Sequence, residues 1–560
     1  MAPNRSHWPL SLIGGGVSLA NLFLPLVLVR ALPPEFIGQY KIFFLYVVLV
    51  PWFVMTAGLT NGLSYWAGHD DKKIPAFRNS WTILFSIALV VLTAGVLGQS
   101  MIAHWLGWST TETRLFLWCA FVQILSTFYE EASVSQGQIW RGALFSSGFD
   151  LSQNTAILTA ALIFRNVEAI FWANLIVMTT KLVLGVGLGY RAGYQRFDRD
   201  PVLRKSILRY ATPVSVSAAL QAIMNYSDQL LLAGLIAADQ FAIYTLGCLS
   251  IPPLLILETS VNRVVIPKLS RAFATGAPDE ARKLLRESTS ELPWIFIPST
   301  LGLMIFAEPI VQLLFTSKYA AAAVFLRVGA LRWILMSLPL DQVPRARARG
   351  GWILKQLSVF SAVSVALVFV LAKLYGALGA QIGILSTIAL TRINAIFYLR
   401  RTEGWGLRKL LPWRDWATYA FFASLATAAS YLIKPLIGDG QGGLHWFFIG
   451  GSLFSVIYMG GTLGIFLRRR LESSAAPQTL DLSQFLGHPT RFSLKTALTL
   501  VKQVFSQRIS VVQSRDPATL LYGVFTKIGT FGAVRLVHTR TAARSGYSER
   551  FFMMFANKAD

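Results

Sequence analysis

A chain of 560 residues that is 54% hydrophobic and 14% charged, with a mean hydropathy of +0.53, has more apolar surface than a soluble core could hide. Its formal charge of +24 raises the question of nucleic acid, which the placement of that charge along the chain must answer. The two cysteines, Cys119 and Cys248, fall in apolar runs and read as small buried residues rather than a disulfide.

Apolar stretches of roughly 20 residues, the length a helix needs to cross a hydrocarbon core of roughly 30 Å, recur fourteen times. They span 8–30, 38–66, 79–104, 113–135, 143–164, 168–191, 206–235, 239–267, 290–315, 320–341, 353–374, 377–400, 414–434 and 445–467. The first run is too long for a cleavable signal and has only Arg5 before it. With the N-terminus inside, 28 Lys and Arg residues fall on inward segments, while the outer loops carry Arg114, Arg165, Lys318, Lys373 and Lys434. This imbalance puts both termini in the cytoplasm and removes the case for nucleic acid.

The chain repeats itself. Leu32-Pro33-Pro34-Glu35-Phe36-Ile37-Gly38-Gln39-Tyr40 and Ile236-Ala237-Ala238-Asp239-Gln240-Phe241-Ala242-Ile243-Tyr244 each make a short outer turn with an acid, a small residue three positions on and a Tyr two after that. Six helices separate the copies, an even number. The expected fold class is therefore all-α and polytopic: two parallel six-helix bundles, residues 1–200 and 201–405, an added helix pair at 406–470 and a basic cytoplasmic or interfacial tail at 471–560. In the tail, Glu472 to Pro477 reads as a linker, and Ser493 to Gln507 has helical apolar spacing. A fifteenth crossing over 517–537 would put Arg540, Arg544 and Arg550 outside, against the charge pattern.

The run from Leu28 to Tyr40 resembles the first outer turn of the polysaccharide transporters, or Wzx-type flippases, of the multidrug/oligosaccharidyl-lipid/polysaccharide (MOP) exporter superfamily. Tyr210-Ala211-Thr212-Pro213, Ser227-Asp228-Gln229, Pro267-Lys268-Leu269-Ser270 and Lys318-Tyr319 with Phe325-Leu326-Arg327 fit similar segments of that family, and the resemblance covers residues 8–467. It implies a MATE-like transporter that moves undecaprenyl-diphosphate-linked sugars across the bacterial inner membrane for O-antigen, capsule or exopolysaccharide assembly. The partners it implies are lipid-linked oligosaccharide, membrane lipid, and the polymerase and glycosyltransferases of the same pathway. No cofactor, metal or catalytic residue is expected. Two departures are the tail after Arg470, which matches nothing in the family, and Gly234 in the second repeat where the first has Arg30.

Such a cargo needs a hydrated, cationic passage, because neither a diphosphate nor a glycan crosses hydrocarbon unaided. The cations within apolar helices are Arg30 and Lys41 near outer ends, Lys181 mid-helix, and Arg263, Arg327, Arg332 and Arg392. Arg30 and Lys41 either snorkel to the interface or face the passage; Lys181, Arg332 and Arg392 either grip phosphate or pair with buried acids. Glu130, Glu131, Asp150, Asp228, Glu258, Glu291 and Glu308 are the acids in the same helices, with Asp228 and Glu258 as coupling candidates. Asn21, Asn61, Asn154 and Asn174 read equally as interhelical glue or sugar contacts. Gly14-Gly15-Gly16 has no strand before it and no Lys-Ser/Thr after it, so close helix packing is its reading. Three alternatives remain in view: a cation-coupled drug exporter, against which residues 8–29 offer no Asp or Glu; a lipid II flippase; and a membrane polymerase or ligase, against which the outer loops are short.

Overall fold

A computed structural model describes residues 23–68, 72–249, 251–437, 443–472, 479–482, 496, 499–503, 511–514 and 535–538. Arg5, Gly14 to Gly16, Asn21, most of the first apolar run, the linker after Glu472 and Arg540, Arg544 and Arg550 lie outside these residues, as does most of the expected helix from Ser493.

The helices start where local chemistry starts them. They run in order as α1 (residues 23–31), α2 (Pro34–Phe53), α3 (Thr56–Ala67), α4 (Lys73–Leu97), α5 (Gln99–Leu106), α6 (Thr110–Ser126), α7 (Phe128–Ser135), α8 (Ile139–Phe164) and α9 (Val167–Arg191). Then come α10 (Pro201–Leu232), α11 (Ala238–Gly247), α12 (Pro252–Ala274), α13 (Pro278–Ile305), α14 (Ala307–Phe315), α15 (Ala322–Met336), α16 (Gln342–Ala346), α17 (Gly350–Thr402), α18 (Leu407–Leu410), α19 (Trp413–Leu432), α20 (Lys434–Ile437) and α21 (Leu444–Glu472). Pro34 and Pro201 sit at first-turn positions, where their missing N–H costs nothing. Ser109 and Glu112 close a reciprocal capping box on α6, and the Asp200 carboxylate accepts from the N–H groups of Val202 and Leu203 on α10.

Every expected apolar stretch after the first falls on a helix or on a helix with one break. The breaks come at Met55, which adopts a left-handed φ of 40°, at Gly98 and at Thr127, and also between α11 and α12, at Phe306 and at Ile433. Residues 353–374 and 377–400 share α17, divided at Gly376 (φ 62°, ψ −146°), a backbone conformation open to glycine. Among the described helices, six are long and apolar enough to cross a membrane, or eight when two bent pairs each count as one span. The protein is a multi-pass membrane protein. The all-α expectation describes its membrane helices; in the tail, β1 (Thr479–Asp481), β2 (Val511–Ser514) and β3 (Arg535–His538) pair in that order as parallel strands.

The chain packs as two compact units, one of residues 1–285 and 307–406, the other of 286–306 and 407–560. In the second, the Trp294 indole donates to Thr462 (3.0 Å), the Trp416 indole to the Thr289 carbonyl (2.8 Å) and the Ser290 hydroxyl to Asp415 (2.6 Å). In the first, the two turns that repeat in sequence lie against each other. The space over Gly38 on α2 is occupied by the backbone of Ala238 on α11, so any Cβ there would meet the Ala238 carbonyl. The Tyr46 hydroxyl, further along α2, donates to the Leu230 carbonyl of α10 (3.0 Å).

Gly38→Ala is therefore expected to destabilise the protein by about 1–3 kcal/mol through overpacking, read as a lower unfolding temperature in detergent. Gly350→Ala, where an added Cβ meets nothing within 4 Å, is the control expected to unfold like the wild type. Equal melting of all three proteins would count against this contact.

Candidate functional site

Lys181 is 3% exposed at the middle of α9, and its Nζ lies 2.9 Å from Oε2 of Glu130 on α7. Asp150 on α8 is within electrostatic range of both. A buried ammonium without a partner would be expensive, and this one has its carboxylate in place. Above it on α9, Asn174 is fully buried, accepting from the Gln153 amide (2.7 Å) and donating to the Cys119 sulfur (3.5 Å). Asn174 is interhelical glue, one of the two roles read for it from sequence.

The same construction recurs 211 residues later. Glu130 corresponds to Asp341 and Lys181 to Arg392, and the Arg392 guanidinium lies 3.1 Å from the Asp341 carboxylate. The local geometry around the two pairs matches position for position. Ser126 and Ser337 each donate to the carbonyl three residues earlier. Gly137 and Ala348 both have positive φ, 78° and 53°, just before the starts of α8 and α17. Arg165 (49°) and Gly376 (62°) divide the next two helical segments; Arg191 and Thr402 end them, each followed two residues on by a positive-φ glycine, Gly193 and Gly404. A Lys–Glu pair in one segment and an Arg–Asp pair in the other thus hold equivalent helices together.

Around the second pair lies a wider polar cluster. Asp341 also accepts from Arg345 (3.0 Å), and Arg392 contacts the Met336 sulfur (3.4 Å). Glu258 on α12 is half-buried within electrostatic range of Arg392, Asp341 and Arg332, beside Asn262, which accepts from the Gln342 amide (2.6 Å). Asp228 on α10 is 4% exposed and accepts from the Tyr244 hydroxyl of α11. The Gln381 amide, near the Cys248 sulfur, donates to the Phe325 carbonyl (2.7 Å). Arg332 on α15 is half-buried and has Asp228, Cys248 and Glu258 within electrostatic range, yet forms no ion pair among the described residues.

Four of the eight candidate residues, Asp228, Glu258, Arg332 and Arg392, are therefore brought together. The others lie apart. Lys181 belongs to its own pair. Arg30 lies on α1 and donates to the Leu313 and Leu314 carbonyls at the end of α14 (2.9 and 2.8 Å), a cap on a helix C-terminus. Lys41 is half-buried and Arg263 exposed, and neither has a charged or hydrogen-bonding partner among the described residues. Arg327 pairs with Glu308 (2.6 Å). Sequence reasoning passed over Asp341, Tyr244 and Gln381 as members of the cluster. Asp341 was visible as an acid at the end of the tenth apolar stretch, and Tyr244 as the Tyr that recurs in the repeated turn, but neither signal specifies a partner.

A family model described as polysaccharide biosynthesis protein matches residues 27–324, more than half of the 560 residues. The chain belongs to the polysaccharide biosynthesis protein family. No curated protein matches this family member's sequence. Among solved structures, this polysaccharide biosynthesis protein is similar to the lipid II flippase MurJ in an inward closed conformation, at 13% identity over 81% of this chain and 99% of that one, with a TM-score of 0.60. It is similar also to an inward-facing multidrug resistance MATE family transporter of the MOP superfamily, at 16% identity over 69% and 94% of the chains, with a TM-score of 0.55. At these identities the likeness is one of fold. This member of the polysaccharide biosynthesis protein family thus has a fold similar to those of the lipid II flippase and the multidrug resistance transporter.

Proposed function

We propose that this protein flips a lipid-linked oligosaccharide, an undecaprenyl-diphosphate-linked sugar, across the bacterial inner membrane for polysaccharide assembly. The observation that carries the reading is the match to a polysaccharide biosynthesis family on a fold shared with a flippase for another lipid-linked saccharide. In this reading fourteen helices cross the membrane, residues 1–200 and 201–405 form two six-helix lobes, and 406–470 and 471–560 are an accessory pair and a cytoplasmic tail.

The polar cluster supplies the chemistry such a cargo requires. Arg332, with acids nearby but no ion pair of its own, is the cation best placed to bind a diphosphate, since a guanidinium can donate two parallel hydrogen bonds to phosphate oxygens. Lys181 and Arg392 are then structural, each committed to its carboxylate. Asp228 and Glu258, acids on neighbouring helices of the same cluster, are the coupling candidates. The functional test is complementation: expression should restore surface polysaccharide to a strain lacking its own flippase, and accumulation of undecaprenyl-linked sugar despite full expression would sink the reading.

Orientation gives a second test. In a variant freed of Cys119 and Cys248, Thr111→Cys is expected to react with an impermeant thiol reagent in intact cells, and Glu280→Cys only after lysis. Both positions are exposed on the protein, so equal labelling in intact cells would contradict cytoplasmic termini.

A further inference from the structure

Apart from the charged clusters, a groove of about 560 Å³ opens between α4, α6 and α9. It lies toward the start of α4 and the ends of α6 and α9, the membrane side on which Lys72, Lys73, Arg78 and Arg191 fall. Trp81 and Leu125 are buried at its base, while Phe85, Phe121 and Leu182 line it and are only half-buried. At the mouth, Phe197 is 64% exposed with its ring 5.3 Å from that of Phe85, and the exposed Arg196 guanidinium lies 4.7 Å over the Tyr190 ring.

The charges at this mouth are unbalanced. Asp198 accepts from the Arg199 backbone N–H (2.7 Å), and Asp200 is occupied in capping α10. Arg196 forms no ion pair among the described residues. An apolar slot that opens beside an aromatic ring and an arginine with no ion pair among the described residues matches one membrane component: a hydrocarbon chain leading to an anionic headgroup.

We infer that this groove is a binding site for an anionic phospholipid of the surrounding membrane, one acyl chain lying along Phe85 and Phe121 and the phosphate at Arg196. A zwitterionic lipid would fill the slot equally well but gain nothing from the arginine. Because the site lies on α4, α6, α9 and the loop that follows α9, away from the polar cluster around Arg332, it does not depend on which cargo the protein carries.

Native mass spectrometry of the purified full-length protein can read this directly, by titration with phosphatidylglycerol and phosphatidylcholine of identical acyl chains. Phosphatidylglycerol is expected to bind about fivefold more tightly, the usual effect of one surface arginine on an anionic headgroup. Arg196→Gln, an exposed substitution that leaves folding alone, should bring the two lipids to equal affinity. Val186→Trp, which fills the slot, should weaken both. Equal binding of the two lipids by the wild type, or an undiminished preference in Arg196→Gln, would overturn the inference; so would unchanged binding by a folded Val186→Trp protein. If Val186→Trp does not fold, the Arg196→Gln comparison decides alone.

Discussion

Lys181→Met is expected to remove most of the protein from the membrane. The substitution keeps the length and apolar stem of the side chain but leaves Glu130, 14% exposed at its side chain, without its cation and with Asp150 nearby. Breaking a buried pair on one side costs roughly 3–5 kcal/mol, a large share of the roughly 5–15 kcal/mol that holds an ordinary domain folded. Removing the other charge should reverse much of this, because a buried pair replaced by apolar groups is often neutral. The double variant Lys181→Met/Glu130→Leu is therefore expected to recover a good part of its abundance, held back by the charge of Asp150. Immunoblots of membrane fractions and unfolding temperatures in detergent measure both effects. The equivalent Arg392→Met should be milder, since Arg392 is more exposed and Asp341 keeps Arg345 as a second partner. A stable Lys181→Met protein that fails to complement would mean that the lysine serves the cargo after all.

Arg332→Ala is expected to behave in the opposite way, with membrane abundance near normal and complementation of a flippase-deficient strain lost. Among the described residues no carboxylate depends on Arg332 for an ion pair, so its removal strands no buried charge there. The acids it faces, Asp228 and Glu258, retain Tyr244 and Arg392 respectively. If Arg332 grips the diphosphate, its loss withdraws a charge-assisted, two-pronged contact from the cargo, and Arg332→Lys should restore only part of the activity because a lysine offers a point charge rather than a planar fork. Full complementation by Arg332→Ala would remove the cationic site from the mechanism, and loss of the protein from the membrane would make Arg332 structural.

The helices were legible because apolar length is a property of each segment by itself. From Pro34 onward, every stretch marked in the sequence falls on a helix or on a helix with one break. The breaks at Met55, Gly98 and Thr127 were not legible, since none falls at a proline and the apolar pattern runs through them. The repeat was visible only at the outer turn, where Tyr40 and Tyr244 keep the same residue. The more extensive repeat, from Ser126 to Gly193 and from Ser337 to Gly404, is written in geometry: Gly137 matches an alanine, Arg165 a glycine, and a Lys–Glu pair an Arg–Asp pair. For the same reason the sequence could mark Lys181, Arg332 and Arg392 as costly intramembrane cations but could not sort them. Sorting requires knowing that Glu130 and Asp341, each 51 residues before its cation, lie within salt-bridge distance, while among the described residues no acid comes that close to Arg332.

The central claim is that this chain moves a lipid-linked saccharide between leaflets, and reconstitution tests it most directly. Purified protein would be placed in liposomes with a fluorescently labelled undecaprenyl-diphosphate-linked sugar, and the fraction of label reached by a membrane-impermeant quencher followed over time. The wild-type protein should expose the inner-leaflet label well beyond the half accessible in protein-free vesicles, and Arg332→Ala, at equal protein content, should not. Wild-type vesicles that retain the protected half indefinitely, with the protein folded and correctly inserted, would contradict the account.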